Sequence, residues 1–170
     1  MVSGGSDDFD VFVAGVQRRL LRSSWLLTAD WEDAEDLVQS CLAKVWRHWG
    51  RVRAADEPEA YVRRVLLNTF LSARQRRWRG ERAAAGPEPA SVDDPADDLA
   101  LRNSLLAGLA RLSPRQRAVV VLRYFDDLSE VEVARVMGCR PGTVKSTASK
   151  ALEHLRAQPG LQALTMGVEP

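Results

Sequence analysis

The chain has 170 residues, enough for one ordinary domain or two small ones with modest cores, and too few for a large multidomain enzyme. Its 24 basic and 23 acidic residues give a formal charge of +1, so bulk charge alone marks neither a nucleic-acid binder nor an acidic surface. The distribution says more. Arg63, Arg64, Arg74, Arg76, Arg77, Arg79 and Arg82 stand against a single Glu81, and the acidic run Glu88, Asp93, Asp94, Asp97 and Asp98 follows with no base among them.

Taken in chain order, Asp8 to about Thr28 reads as a first helix and Trp31 to Trp49 as a second. In the second, Ala34, Leu37, Val38, Cys41, Leu42, Val45, Trp46 and Trp49 recur at helical spacing and make one wide apolar stripe. Asp36, Gln39, Ser40, Ala43 and Arg47 are left on the opposite face. A third helix is expected from Pro58 to about Arg79, with Asp56 and Glu57 ahead of it to complement its dipole. Residues 83–98, AAAGPEPASVDDPADD, hold one large aliphatic residue and no aromatic, and read as a linker.

Beyond the linker the helix starts are marked chemically. Asp94 ahead of Pro95 is an N-cap candidate for a helix whose apolar face runs from Leu99 to Leu112. Ser113 with Gln116 forms a capping box opening a helix from Pro114 to about Phe125. Ser129 with Glu132 repeats the box ahead of a short helix ending at Met137, where Gly138 supplies a left-handed stop. A last helix begins near Pro141 with Val144, Ala148, Ala151, Leu152 and Leu155 on one face. No stretch alternates long enough for a strand, so the expected fold class is all-α, two small helical domains joined by a flexible acidic linker. The expected boundaries are 1–82, a linker at 83–98, 99–158, and a tail at 159–170.

A helix-turn-helix needs a small residue where its helices cross, a glycine at the turn, and an aliphatic residue locking the second helix onto the first. Ala134, Gly138 and Val144 meet these needs, although an ordinary helical hairpin is the alternative. With the apolar face inward, Thr143, Ser146, Ser149, Lys150 and Glu153 fall on or near the outward arc. Short hydroxyl side chains let a helix approach a major groove, and Arg140, Lys145, Lys150 and Arg156 supply charge for phosphate. The segment Asn68 to Arg79 joins a basic stripe to Phe70 and Trp78, a pairing suited to a strand being opened; the plainer reading makes both aromatics core, and Phe70 is expected there. The outward face of the Asp33–Trp49 helix, acidic at its start, suits a protein partner or plain solvation.

Catalytic chemistry has no carrier here. His48 and His154 are isolated, no HExxH, phosphate-binding glycine loop or GxSxG occurs, and capping or solvation explains the carboxylates, so the chain reads as no enzyme, with no cofactor and no metal. Cys41 and Cys139 form neither a disulfide framework nor a zinc site and are expected to be a small buried residue and a turn residue. No apolar run approaches a membrane span, and the opening MVSGGSDDFD is acidic where a signal peptide is basic, so a cytoplasmic protein without membrane insertion is expected.

The order of these parts resembles the sigma factors of bacterial RNA polymerase. "DAEDLVQSCLAKVW" (Asp33 to Trp46) looks like their region 2.2, and "YVRRVLLNTFLSARQRRWR" (Tyr61 to Arg79) like regions 2.3 and 2.4. "LARLSPRQRAVVVLRYFDDLSEVEVARVMGCRPGTVKSTASKALEHLR" (Leu109 to Arg156) resembles region 4. The linker leaves no room for a region 3, as in the extracytoplasmic-function (group 4) sigma factors, and the NTFLS and RRWRGE wording is most similar to the actinobacterial SigE-like set.

The resemblance implies that Asp33, Asp36, Leu37, Gln39, Ser40 and Ala43 hold the β′ clamp helices of core polymerase, with the β flap as a further contact. It implies that Asn68, Arg74, Arg76, Arg77, Trp78 and Arg79 recognise and help melt the promoter element near minus ten. Arg140, Thr143, Lys145, Ser146, Thr147, Ser149 and Lys150 would read the element near minus thirty-five as duplex, and the acidic linker would pass near the RNA exit path. Two positions depart from the pattern: Ser72 stands where many group 4 members have aspartate, and Thr147 replaces a common arginine. Promoter-specific initiation for a stress or envelope-response regulon, an anti-sigma partner, and a monomer when free complete the expectation. The rival readings are a helix-turn-helix regulator that acts without polymerase and a protein-binding helical scaffold.

Overall fold

The structure is a computed structural model that describes residues 4–80, 96–158 and 161, except for the side chains of residues 4–5, 76–80 and 96–99. The described residues form eight α-helices and one π-helical turn, with no strand among them. The helices are α1 (Gly4–Thr28), α2 (Trp31–Arg47), α3 (Trp49–Arg53), α4 (Pro58–Gly80), α5 (Ala96–Arg111), α6 (Pro114–Val120), α7 (Glu130–Met137) and α8 (Pro141–Arg156).

The first four helices pack as one bundle. Asp30 caps α2, its carboxylate accepting from the Asp33 amide at 2.8 Å, and Glu32 and Asp33 place negative charge in the first turn. Ala34, Leu37, Val38, Cys41 and Val45 are buried, and α1 and α4 supply Val16, Leu20, Leu27, Val62, Leu66, Leu67 and Phe70 against them. The second expected helix does not run unbroken to Trp49. It stops at His48 (φ −121°, ψ 20°), whose amide turns back to the Trp46 and Val45 carbonyls. A straight helix would return Trp49 to the angular position of Trp31, on the rim of the exposed face. The break instead sends Trp49 and Val52 inward, where Trp49 meets Phe9 and Phe12 at ring-centroid distances of 5.2 and 5.1 Å. Trp46, read as part of the buried stripe, is 48% exposed and leans on the Phe9 ring, because an eight-residue stripe is wider than the surface α1 and α4 cover.

In the second half both capping boxes form. Ser113 and Gln116 exchange bonds at the start of α6, and Ser129 and Glu132 at the start of α7. Asp94 lies outside the described residues, and α5 starts at Ala96, inside the stretch read as linker. The expected helix from Pro114 to Phe125 has the right length, but its pitch widens at Val121–Phe125 into a π turn. There the Asp126 amide reaches the Val121 carbonyl at 3.0 Å. Asp127 follows with φ +54°, reversing the chain so that Leu128 is buried beneath Leu122.

The two halves share one apolar core. Val121, Leu122 and Phe125 join the cluster that holds Leu27, Leu66 and Leu67, and α1 and α4 touch α5, α6, the π turn and α7.

Candidate nucleic-acid interface

The reading unit is built by α7 and α8. Ala134 (4% exposed) gives α7 a small surface, Val144 (0%) seats α8 on it, and Gly138 turns the chain with φ +64° and ψ +40°. The Gly138 and Cys139 amides both return to the Ala134 carbonyl, which closes the end of α7. Val144, Ala148, Ala151, Leu152 and Leu155 are buried. Arg140, Thr143, Lys145, Ser146 and Lys150 are exposed, while Thr147 and Ser149 are half-buried. The Ser146 hydroxyl donates back to the Thr143 carbonyl at 3.2 Å, which keeps that side chain close to the helix and leaves the face low in profile. A helix whose free face is short, polar and cationic fits a major groove.

Along α4, Asn68 and Ser72 are exposed. Phe70 is buried at 2%, as expected of a core ring. Arg74 is half-buried: its guanidinium lies 5.8 Å from the Phe70 ring centroid and donates to the Thr28 carbonyl at 3.4 Å. Arg76, Arg77, Trp78 and Arg79 continue the helical backbone, and their side chains lie outside the described residues.

On α2, Asp36, Gln39, Ser40 and Ala43 line an exposed face and Asp33 stands half-buried beside it. Leu37 does not belong to that face. It is buried at 7% and holds α2 in the bundle. Lys44, on the far border of the face, donates to the Thr69 hydroxyl at 2.9 Å and so ties α2 to α4.

Several groups at the contact between the halves were not singled out from the sequence. Arg117 is 5% exposed and donates to the Leu27 carbonyl at 2.7 Å and the Ala110 carbonyl at 2.8 Å. Burial, and then the nearby Arg74 charge, brings its pKa down to about 10. Asp126 accepts from the Ser23 hydroxyl at 2.7 Å, and burial raises its carboxyl above the usual range although Ser23, Arg63, Arg22 and Arg19 pull the other way. Arg102 lies over the Trp25 ring at 4.9 Å. The sequence signal for Arg117 is slight: an arginine inside the apolar run that follows Gln116.

Among the described residues no group of three or more His, Cys, Asp or Glu side chains could hold a metal ion, and no helix is long and apolar enough to cross a membrane. Cys41 is buried at 0%, with its thiol pushed up to about 12 by desolvation, and Cys139 is half-buried in the turn after α7.

Comparison with known proteins agrees with this arrangement. Residues 12–80 match the family model described as Sigma-70 region 2, and residues 102–155 match Sigma-70, region 4. The RNA polymerase sigma-E factor of Streptomyces avermitilis is 38% identical over 162 residues, covering 93% of this chain and 88% of that protein. The sigma-E factor of Streptomyces coelicolor is 37% identical over 155 residues, 89% of this chain and 85% of its own. The extracytoplasmic-function sigma factor SigL of Mycobacterium tuberculosis is 30% identical, covering 87% of this chain and 84% of that one. In fold, the chain is similar to the sigma factor RpoE of Bartonella quintana, solved in complex with the anti-sigma factor NepR, with a TM-score of 0.72, 24% identity, and coverage of 96% of this chain and 99% of that one. A region 2 bundle and a region 4 helix-turn-helix, present in that order and in relatives covered nearly end to end, place this chain in the extracytoplasmic-function group of the RNA polymerase sigma factors.

Proposed function

We propose that the exposed face of α2, with Asp33, Asp36, Gln39, Ser40 and Ala43, docks the β′ clamp helices of core polymerase, while Leu37 supports that face from within. Residues 1–82 then act as region 2 and residues 99–158 as region 4, with 83–98 joining them. In region 2, Asn68, Arg74, Arg76, Arg77, Trp78 and Arg79 capture and unstack bases of the element near minus ten. In region 4, Arg140, Thr143, Lys145, Ser146, Thr147, Ser149 and Lys150 read the duplex near minus thirty-five, and the same region meets the β flap. The chain performs no chemistry of its own; it positions the polymerase, acts in the cytoplasm, and is a monomer when free. An anti-sigma factor is its expected inhibitor, by analogy with the partner of the Bartonella protein of similar fold.

The observation that carries this reading is the free, cationic, short-chained face of α8, held in helix-turn-helix geometry on the same chain as a bundle that presents a non-basic face. Purified actinobacterial core polymerase and this chain, incubated with genomic DNA fragments, are expected to start transcripts at discrete sites that core alone does not use. Failure of the chain to bind core removes the proposal. Stable, sequence-specific duplex binding by the chain alone would instead favour a regulator independent of polymerase.

A further inference from the structure

Gly108 lies in the interior of α5, where glycine surrenders the most backbone freedom and brings no side chain to pack. A glycine kept in such a place has a packing reason. Here it is a close approach: a Cβ at Gly108 would stand 2.5 Å from Leu161 Cδ1, 3.1 Å from Leu155 Cδ2 and 3.3 Å from Gln158 Oε1. Leu155 belongs to the last turn of α8, and Gln158 and Leu161 lie just beyond that helix.

Leu161 falls in the stretch expected to be a tail, yet it is 1% exposed, as deep as the core residues Leu67 and Leu109. Its amide donates to the Gln158 carbonyl at 3.3 Å, and Gln158 Nε2 in turn reaches the Gly108 carbonyl at 3.5 Å. The chain past α8 is therefore turned back onto α5, and the missing side chain at Gly108 makes the notch that receives it.

This grips α8 at both ends by different means. Near its start Val144 sits on Ala134 of α7, and at its end Leu155 and Leu161 sit on Gly108 of α5. Lys145, Ser146, Thr147, Ser149 and Lys150 lie between the two grips. From Val144 to Leu155 is about 16 Å of helix, so a slip of about 2 Å at the far end would swing the axis by about 7° and carry Lys150 by about 1 Å. Hydrogen bonds to base edges and phosphates weaken sharply over that range.

We propose that Leu161, seated in the notch left by Gly108, is a positioning residue for the reading helix: it fixes the far end of α8 and so the approach of Lys145, Ser146, Ser149 and Lys150 to the duplex. Buried as it is, Leu161 acts only through α8. Its consequence rests on the reading of α8 as the duplex-reading helix, whereas the seat itself does not.

The test uses the full-length chain with core polymerase, at a start site found on genomic DNA and at a derivative whose element near minus thirty-five is scrambled. The ratio of the two dissociation constants reports reading by α8, because loss of folded protein or of core binding weakens both alike. Leu161→Ala is expected to lower the ratio about tenfold, and Leu161→Met, close in volume, to keep it. Gly108→Ala improves α5 as a helix but displaces Leu161, so it should lower the ratio with helicity retained by circular dichroism. In the double variant the new methyl takes part of the space Leu161 leaves, so the pair should lose less than the two single changes combined. Hydrogen exchange of the free chain should quicken about tenfold in the last turn of α8 of Leu161→Ala and stay unchanged in α7. Should Leu161→Ala unfold, Gly108→Ala carries the test. A wild-type ratio in both single variants, losses that add in the pair, or equal weakening at both promoters overturns the positioning role. If wild type itself does not distinguish the promoters while exchange follows the expected pattern, the reading role of α8 falls and the positioning role with it, although the seat stands.

Discussion

Replacing Gly138 by alanine isolates the backbone requirement of the turn between α7 and α8. The residue has φ +64° and ψ +40°, and a Cβ built there meets no heavy atom within 4 Å. The added methyl neither clashes nor displaces a neighbour, so the cost is that of holding an L-residue in the left-handed region, about 1–2 kcal/mol. For a chain of this size each kcal/mol lowers the melting temperature by about 2–4 °C, so a fall of about 2–8 °C is expected by circular dichroism, matched by a lower urea midpoint with an unchanged slope. Gly138→Asn should cost less than alanine, since asparagine tolerates this region better. Asp127, at φ +54°, offers the converse: Asp127→Gly relieves strain of similar origin and is expected to raise stability, less the added freedom it gives the unfolded chain. Ala29, at φ +59°, is less informative, because glycine there also removes a buried methyl worth about 0.8 kcal/mol. A Gly138→Ala protein that melts with wild type, or an asparagine variant weaker than the alanine one, would contradict a left-handed requirement at this turn.

Three further outcomes are expected. Neutralising Lys145 and Lys150 together should flatten the salt dependence of duplex binding by the holoenzyme, by about 0.9 in log–log slope for each phosphate no longer neutralised; an unchanged slope means these lysines face solvent only. With its pKa pushed up to about 12 by burial, Cys41 is ionised in roughly one molecule in ten thousand at pH 8, so a chromogenic disulfide reagent should titrate Cys139 promptly and Cys41 only on unfolding. Two prompt thiols contradict the burial of Cys41. Folding stability should also depend on pH through Asp126, which Ser23, Arg19 and Arg22 of α1, Arg63 and Glu59 of α4 and its neighbour Asp127 surround. Its carboxyl is raised in the folded chain, so that state binds the proton more tightly: this contribution to stability is fully present below the ordinary carboxylate range and is lost as pH rises through the raised value. The difference in melting temperature between wild type and Asp126→Asn should follow this trend with pH, and a difference that does not change with pH contradicts it.

The parts of this chain legible in its sequence are those fixed within a few residues. A capping box links positions three apart, and both boxes form where serine and its partner stand. The reading face of α8 follows from a 100° step and from the inward set Val144, Ala148, Ala151, Leu152 and Leu155, all found buried. The same rule reaches its limit at Trp46 and Trp49. Periodicity gives the direction in which a side chain leaves its helix, but not whether another helix stands there, and the break at His48 depends on the space beside Phe9 and Phe12 on α1. The π turn escaped for a related reason: Val121 to Phe125 carry no local signal, and the wider pitch brings Asp126 to Ser23, 103 residues earlier.

Arg117 carries the same limit into the contact between the halves. Read locally, an arginine between Gln116 and Ala118 ought to turn outward to water, since an unpaired buried guanidinium is costly. It turns inward because two helices, α1 and α5, end beside it and leave carbonyls at Leu27 and Ala110 without helical partners. One guanidinium satisfies both, and its charge complements the negative ends of both helices. The α5 contact lies within region 4 and the α1 contact crosses to region 2, so the same side chain holds α5 to α6 and ties both to α1. Arg117→Lys tests the fork: a single ammonium keeps the charge but lacks the planar pair of donors that spans two carbonyls. It cannot hold both the Leu27 carbonyl at 2.7 Å and the Ala110 carbonyl at 2.8 Å, so one bond is expected to be lost and the melting temperature by circular dichroism to fall. If the lysine protein melts with wild type, charge at the two helix ends is sufficient and the fork is not what joins them.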